Sequence, residues 1–158
     1  MTKAYDYIAL TKPRVVVLLQ ITALCSVIVH DMLDSEFGVS SLETMIVVFI
    51  GGYLTAGGAN AINMWYDRDI DPKMKRTSSR PLSTGAVSAS SALLLGVILS
   101  IIGVAWFVFL SNQIAAFWAA FSILFYVFVY SMWLKRSTPQ NIVVGGIAGS
   151  TPPVIGWA

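Results

Sequence analysis

Cysteine is almost absent from this 158-residue chain, which contains only Cys25. A single cysteine excludes an internal disulfide and a thiolate metal cluster. Charged residues are also scarce, at 11% of the chain, whereas 56% of the residues are hydrophobic and the mean hydropathy is +0.74. A soluble domain of this size could not bury so much apolar surface, and we therefore predict an integral membrane protein.

Apolar runs predict an all-α bundle of about five membrane spans, each long enough to cross a hydrocarbon core of ~30 Å. The first four predicted spans are 13–31, 44–64, 92–110 and 114–134, and a fifth follows residues 138–141 and reaches residue 158. Glycine and proline recur in the fifth, which predicts an irregular or kinked helix.

Local sequence signals predict where the first helix begins and where the second helix ends. Thr11 is predicted to cap the first helix, and Lys12 and Arg14 are predicted to reach the lipid head groups. The second helix is predicted to continue past its apolar part to Asp71, because Pro72 lacks the amide hydrogen that would extend it.

The charges are divided unequally between the two ends of such a bundle. With five spans, the N-terminus and the loops at 67–91 and 135–140 share one face, which holds all ten Lys and Arg with four Asp. The other face has four acidic residues and no basic one. The positive-inside rule predicts that the N-terminus and the Asp-rich loop lie in the cytoplasm of a prokaryotic-type cell membrane.

Polar residues are concentrated at 60–82, which contains three Asp, two Asn and five Lys or Arg. On a helix, Asn63, Asp67 and Asp71 would stand at i, i+4 and i+8 on one face, about 6 Å apart. Two carboxylates so placed repel each other, which favours a cation between them. We predict these three as the catalytic residues, with Asp67 and Asp71 as ligands of Mg²⁺, which commonly bridges carboxylates to substrate phosphates.

Basic residues follow this acidic face, and they could bind the same anionic group. They are Lys73, Lys75, Arg76 and Arg80. The alternative is an ordinary charged loop whose basic residues reflect topology alone. Asp69 projects roughly 200° away from Asp67 and is predicted to be solvated or paired with Arg68. In a membrane, ionisation of an allylic diphosphate would need a metal ion, basic side chains and an apolar tunnel.

The N-x3-D-x3-D element with KMKRT and RPL resembles the first aspartate-rich motif of the UbiA superfamily of intramembrane prenyltransferases. Within it, three segments resemble the members that farnesylate protoheme: LTKPRV at 10–15, NMWYDRDIDPKMKRT at 63–77 and LKRSTPQNIVVGGIAGSTPPVIGWA at 134–158. The resemblance covers nearly the whole chain. It also makes Lys135 similar to a basic position that faces the diphosphate.

This resemblance implies a nine-span helical bundle with a cavity open to the cytoplasm. It implies transfer of a farnesyl group from farnesyl diphosphate to a vinyl group of heme B, giving heme O. Members carry a second aspartate-rich motif in their C-terminal half, and residues 1–158 have none. We therefore predict that the chain is the N-terminal part of one membrane domain, inactive alone. The implied partners are both substrates, the bilayer and heme-pathway or oxidase-assembly proteins, with no nucleic acid.

Two other functions compete with this interpretation. A prenyltransferase that uses a quinone precursor such as 4-hydroxybenzoate would share the aspartate motif. A cation-binding transporter module could place the same carboxylates along an ion path, but the spans offer no ionisable residues to continue the path across the membrane. His30 lies about 25 Å along the first helix from Pro13, which predicts an interfacial histidine at the opposite end and not a heme ligand.

Overall fold

A computed structural model describes residues 4–35 and 37–158, and every regular element in these ranges is helical. Lys3 and Glu36, which entered the charge count above, lie outside the described residues. The α-helices are α1 (Ala4–Leu10), α2 (Pro13–Leu33), α3 (Val39–Tyr66), α4 (Ala89–Leu110), α5 (Gln113–Leu124), α6 (Lys135–Ser137) and α7 (Asn141–Trp157). The predicted all-α fold is confirmed.

Four stretches are long and apolar enough to cross a membrane, and they correspond to the first four predicted spans. Their bounds are Pro13–Leu33, Val39–Asp69, Ala89–Leu110 and Gln113–Ser137. The fifth predicted span is α7, whose 17 residues extend about 25 Å. Its helix runs through Pro152 and Pro153, although the sequence predicted an irregular or kinked segment there.

The predicted cap of the first span is wrong. Lys12 immediately precedes α2 and has a left-handed backbone, with φ 52°. The Thr11 hydroxyl instead donates to the carbonyl of Ile8 (2.8 Å) and shares a hydrogen bond with the Tyr53 hydroxyl (3.0 Å). Because α1 packs beside α3, Thr11 bridges these two helices and does not cap the one that follows.

Helix α3 lies at the centre of the bundle and packs most closely on α4. Small residues allow this approach: a Cβ atom on Gly58 would lie 2.5 Å from the Ser100 hydroxyl and 2.8 Å from the Gly96 carbonyl oxygen. One on Gly103 would lie 2.6 Å from the Thr55 methyl. Small residues on both helices thus permit the close packing that is typical of membrane helix pairs. It fixes the helix that leads to the Asp-rich stretch.

A π-helix at Phe125–Leu134 continues α5 towards α6 and was not predicted. The amide of Lys135 donates to the carbonyl of Tyr130, five residues earlier, as this geometry requires. Long π-helical runs are rare and are frequently found at functional sites. Here the segment carries Ser131 and ends immediately before Lys135.

Candidate functional site

The Asp-rich stretch leaves the α-helix earlier than predicted. Helix α3 ends at Tyr66, and two 3₁₀ turns follow at Asp67–Asp69 and Asp71–Lys73. The predicted α-helix to Asp71 is therefore wrong, because Pro72 disfavours α-helical backbone at the residue before it and the chain tightens ahead of it. Asp67 and Asp71 are nevertheless both buried, with 0% and 2% of their surface exposed.

Asp67 lies at the centre of a polar network. Its Oδ2 atom accepts hydrogen bonds from the Lys135 ammonium, which forms an ion pair with it, and from the Asn63 amide nitrogen at 3.0 Å. Its Oδ1 atom is buried and has no hydrogen-bond partner among the described residues. An unpartnered buried carboxylate oxygen is costly, which makes it available to a ligand.

Asn63 connects three elements of the site through its amide. Its nitrogen also donates to the Ser131 hydroxyl (2.9 Å), which in turn donates to the carbonyl of Tyr126 (2.8 Å). Its oxygen accepts from the Lys12 ammonium at 2.6 Å. Asn63 thus holds Asp67, the π-helix and the start of α2 in one arrangement.

Asp71 is held by the loop that follows it. The Arg80 guanidinium donates to its Oδ2 atom at 2.7 Å, and the buried Thr77 hydroxyl donates to its backbone carbonyl at 2.8 Å. Both partners follow Asp71 by fewer than ten residues, so the loop folds back over the carboxylate. Each buried aspartate is therefore paired with one basic side chain.

The predicted basic residues separate into two groups. Arg80 and Lys135 reach the buried carboxylates, whereas Lys73, Lys75 and Arg76 are exposed and form no ion pair with any carboxylate that the structure describes. The structure thus joins Asn63, Asp67 and Lys135 in one network, and it pairs Asp71 with Arg80 on the neighbouring 3₁₀ turn.

Of the two alternatives predicted for Asp69, solvation agrees with its exposure, whereas pairing with Arg68 is wrong. Asp69 is exposed and binds both guanidinium nitrogens of Arg136, at 2.7 and 2.9 Å. Arg68 instead lies over the Trp65 ring, 4.7 Å from its centre, and donates to the Trp65 carbonyl. The 3₁₀ turn after Tyr66 changes the direction of both side chains relative to the predicted α-helix.

Lys12 is the site residue that sequence reasoning missed, because a lysine beside the first turn of a span predicts a head-group contact. Its ammonium points inward to Asn63. Burial, with the nearby positive charges of Arg80 and Lys135, lowers the pKa of Lys12 to about 7, although Asp67 and Asp71 act in the opposite direction. The feature that marks Lys12 in the structure is its left-handed backbone, which cannot be read from the sequence.

The site could hold a divalent cation through its carboxylates. Asp67 and Asp71 each give Oδ2 to a base, and the free Oδ1 of Asp67 is the hard oxygen donor that Mg²⁺ prefers. The described residues contain no cluster of three or more Asp, Glu, His or Cys suited to a metal. The donors present fit a cation that takes its other ligands from phosphates or water.

An apolar cavity of about 330 Å³ opens beside this polar network. Its walls come from α2, α3, α5, the π-helix and α7. The Tyr126 hydroxyl, on the cavity wall, bonds the Asn60 side chain (3.4 Å). Since Asn60 lies one turn before Asn63 on α3, the cavity adjoins the carboxylate site. This arrangement suits a ligand that has an apolar chain and an anionic head group.

The profile of the UbiA prenyltransferase family matches residues 21–158. The chain belongs to this family. It is 48% identical, over 98% of its length, to a protoheme IX farnesyltransferase of Bartonella henselae, and 50% identical over 96% to one of Streptomyces coelicolor. A protoheme IX farnesyltransferase of Jannaschia sp. is 52% identical over 97% of the chain.

The chain spans about half the length of the curated relatives it matches, since it covers 47% or 48% of each of these three proteins. No solved structure matches it significantly. The predicted UbiA membership is therefore confirmed on sequence similarity that extends over nearly the whole chain.

Proposed function

We propose that the intact UbiA-family protein transfers a farnesyl group from farnesyl diphosphate to a vinyl group of heme B and so forms heme O. The observation that carries this proposal is the similarity, over nearly the whole chain, to proteins named protoheme IX farnesyltransferase. The paired carboxylates beside an apolar cavity support it, because a prenyl diphosphate has both an anionic head and an apolar tail.

In this proposal Asp67 and Asp71 hold Mg²⁺ against the diphosphate, and Asn63 keeps Asp67 in position. Divalent metal is general for diphosphate binding in this family. The ion, when bound, would neutralise charge on the diphosphate and orient it. The unpartnered Oδ1 atom of Asp67 supports the assignment, because it is the one buried side-chain oxygen of the described residues that lacks a hydrogen bond.

The basic residues stabilise the leaving group. As the bond between the farnesyl C1 atom and the diphosphate oxygen breaks, negative charge moves onto the diphosphate, and Arg80 and Lys135 lie where they could meet it. Lys73, Lys75 and Arg76, which are exposed, would attract the anion from solution. The apolar cavity would exclude water from the allylic cation until the vinyl group attacks. Water would then add to the carbocation left on the former vinyl group, release a proton and complete the hydroxyethylfarnesyl side chain.

The proposal includes a membrane setting. Four helices long and apolar enough to span support an integral membrane protein. We place the N-terminus and the Asp-rich loop in the cytoplasm of a prokaryotic cell membrane, because all ten Lys and Arg share that face. Residues 1–158 would form the N-terminal part of a single membrane domain, inactive alone, whose function depends on a second aspartate-rich motif beyond them. We propose oxidase-assembly proteins as its protein partners.

The acceptor decides between this function and its nearest rival. Membranes that contain the intact protein would be incubated with labelled farnesyl diphosphate, Mg²⁺ and either heme B or 4-hydroxybenzoate. We expect label in a heme product of increased mass and none in the benzoate. Labelling of the benzoate alone would instead assign the protein to the quinone branch.

A further inference from the structure

We propose that Lys12 binds the diphosphate directly and completes the cation set of the site. This inference rests on the proposed function and adds a residue to it. Three observations on Lys12 carry it: the partner of its ammonium, the conformation of its backbone and the cavity that it lines.

The Lys12 ammonium has no described carboxylate within ion-pair distance, although Asp67 and Asp71 attract it from further away. Arg80 and Lys135 each face a buried aspartate, but Lys12 bonds the neutral oxygen of Asn63 at 2.6 Å and forms no ion pair with any described carboxylate. The site therefore brings three basic side chains to two buried carboxylates. A partly buried cation without a direct counter-ion is costly, and an anionic ligand would supply one.

The backbone at Lys12 is held in a strained conformation. Its φ of 52° is one of two positive values among the described non-glycine residues, and it sits between α1 and α2. Such a conformation is unfavourable for a residue other than glycine and persists at functional sites when the surroundings impose it. Here it directs the lysine away from the membrane surface and towards Asn63.

A second cavity gives an anion access to Lys12. It has a volume of about 290 Å³ and lies between α1 and the loop after Thr77, where the basic Lys12 and Arg80 line it together with Asp6, Ser79 and Thr84. Lys12 and Arg80 thus line a polar cavity and also contact the carboxylate network. A diphosphate in this position would contact both cations.

The test measures binding of inorganic pyrophosphate with Mg²⁺ to the purified intact protein. Lys12→Gln keeps a donor for Asn63 but removes the charge, Lys12→Arg keeps the charge, and Arg14→Gln removes an exposed positive charge two residues away as the matched control. We expect Lys12→Gln to weaken binding about 10- to 100-fold, the loss typical of a charge-assisted hydrogen bond. Lys12→Arg should retain most of the affinity, and Arg14→Gln should bind like the wild type.

Thermal stability separates ligand binding from a purely structural role. Without ligand, Lys12→Gln should melt at the same temperature as the wild type or higher, because it removes a buried cation that lies near two others. A lower melting temperature with unchanged affinity would overturn the proposal and make Lys12 a structural support for Asn63.

A measurement on the unsubstituted protein keeps the proposal testable even if Lys12→Gln does not fold. Amine acetylation at pH 8, read by mass spectrometry, should be slower at Lys12 when pyrophosphate and Mg²⁺ are present, compared with sodium chloride of equal ionic strength. Equal labelling would overturn the inference alone. A wild-type protein that binds neither pyrophosphate nor farnesyl diphosphate would overturn the proposed function as well.

Discussion

The two ends of helix α2 face acidic side chains in opposite settings. At its start, beside Lys12, Asp67 and Asp71 are 0% and 2% exposed, and each is paired with a base. At its far end, the side chains of Asp31 and Asp34 are 20% and 60% exposed beside His30.

The comparison of the two ends shows which acidic side chains need a functional explanation. Exposed pairs are solvated in the folded and unfolded protein alike and contribute little to stability. Buried pairs lose hydration that their mutual attraction recovers only in part, so an apolar replacement is often as stable. Ionisable groups are kept inside a membrane protein mainly where they bind or react. We therefore expect the functional residues at the Asp-rich end.

The largest expected effect comes from removing a buried carboxylate. We expect Asp67→Asn or Asp71→Asn in the intact protein to lower heme O formation at least about 1,000-fold, because the amide loses the negative charge that would hold a metal. Membrane insertion should be unchanged. Asp69→Asn is the control, since Asp69 is exposed and bound to Arg136. Heme O production by quantitative chromatography measures the effect, and wild-type yield from either variant would contradict the metal assignment.

Removing Lys135 alone should destabilise the protein, whereas removing both charges of its ion pair with Asp67 should not. Lys135→Met leaves Asp67 buried and unpaired, which should cost about 3–5 kcal/mol of unfolding free energy. Asp67→Asn with Lys135→Met should recover most of this stability without recovering activity. Arg136→Met, which breaks the exposed pair with Asp69, is the matched control and should change little. Denaturation in detergent measures all three, and a stable Lys135→Met variant would contradict the comparison.

Diphosphate affinity should depend on pH through Lys12. Its pKa of about 7 leaves the amine mostly neutral at pH 8, and a bound anion would raise that pKa towards the ordinary value of 10.5. Binding then takes up a proton in this range, so affinity for pyrophosphate should fall as pH rises above 7, by up to about tenfold per unit.

The other charged groups that face this amine are Asp67, Asp71, Arg80 and Lys135. Calorimetry in two buffers of different ionisation enthalpy measures the proton uptake. Lys12→Gln should remove the part of the uptake that Lys12 contributes, and an unchanged uptake would assign the proton to another of these groups or to pyrophosphate itself.

The smallest effect is expected at the exposed end. His30→Ala removes contacts with Asp31 and Asp34 and an edge-on contact with the Trp157 ring, 5.0 Å between centres. We expect activity within about twofold of the wild type and a melting temperature within about 2 °C, because such pairs contribute little. Complete loss of heme O would place His30 in heme binding and end the contrast between the two ends.

Local patterns were sufficient to predict the helices and the acidic pair. Apolar runs placed the spans to within a few residues, and the concentration of charge after Asn60 located the buried aspartates. Each of these signals depends on neighbouring residues or on a helical period, which a sequence displays directly.

The partners of those aspartates depend on contacts that a sequence does not display. Lys135 follows Asp67 by 68 residues and reaches it only because α5 and the π-helix return to the same end of the bundle. Lys12 turns inward because its own backbone is left-handed, and Asp71 is held by a folded loop instead of helical spacing. Tertiary packing decided each of these arrangements.

The π-helix gives the site a local tolerance of changes in chain length. A turn closed by i→i+5 hydrogen bonds holds more residues than an α-helical turn, so Phe125–Leu134 accommodates surplus backbone while the flanking helices remain in place. Losing a single amino acid there would let the segment tighten towards an α-helix and keep Lys135 near Asp67, whereas the same loss within α5 would rotate everything downstream by about 100° and carry Lys135 away. One codon deletion in α5 could therefore inactivate this centre while every polar residue of it stays intact.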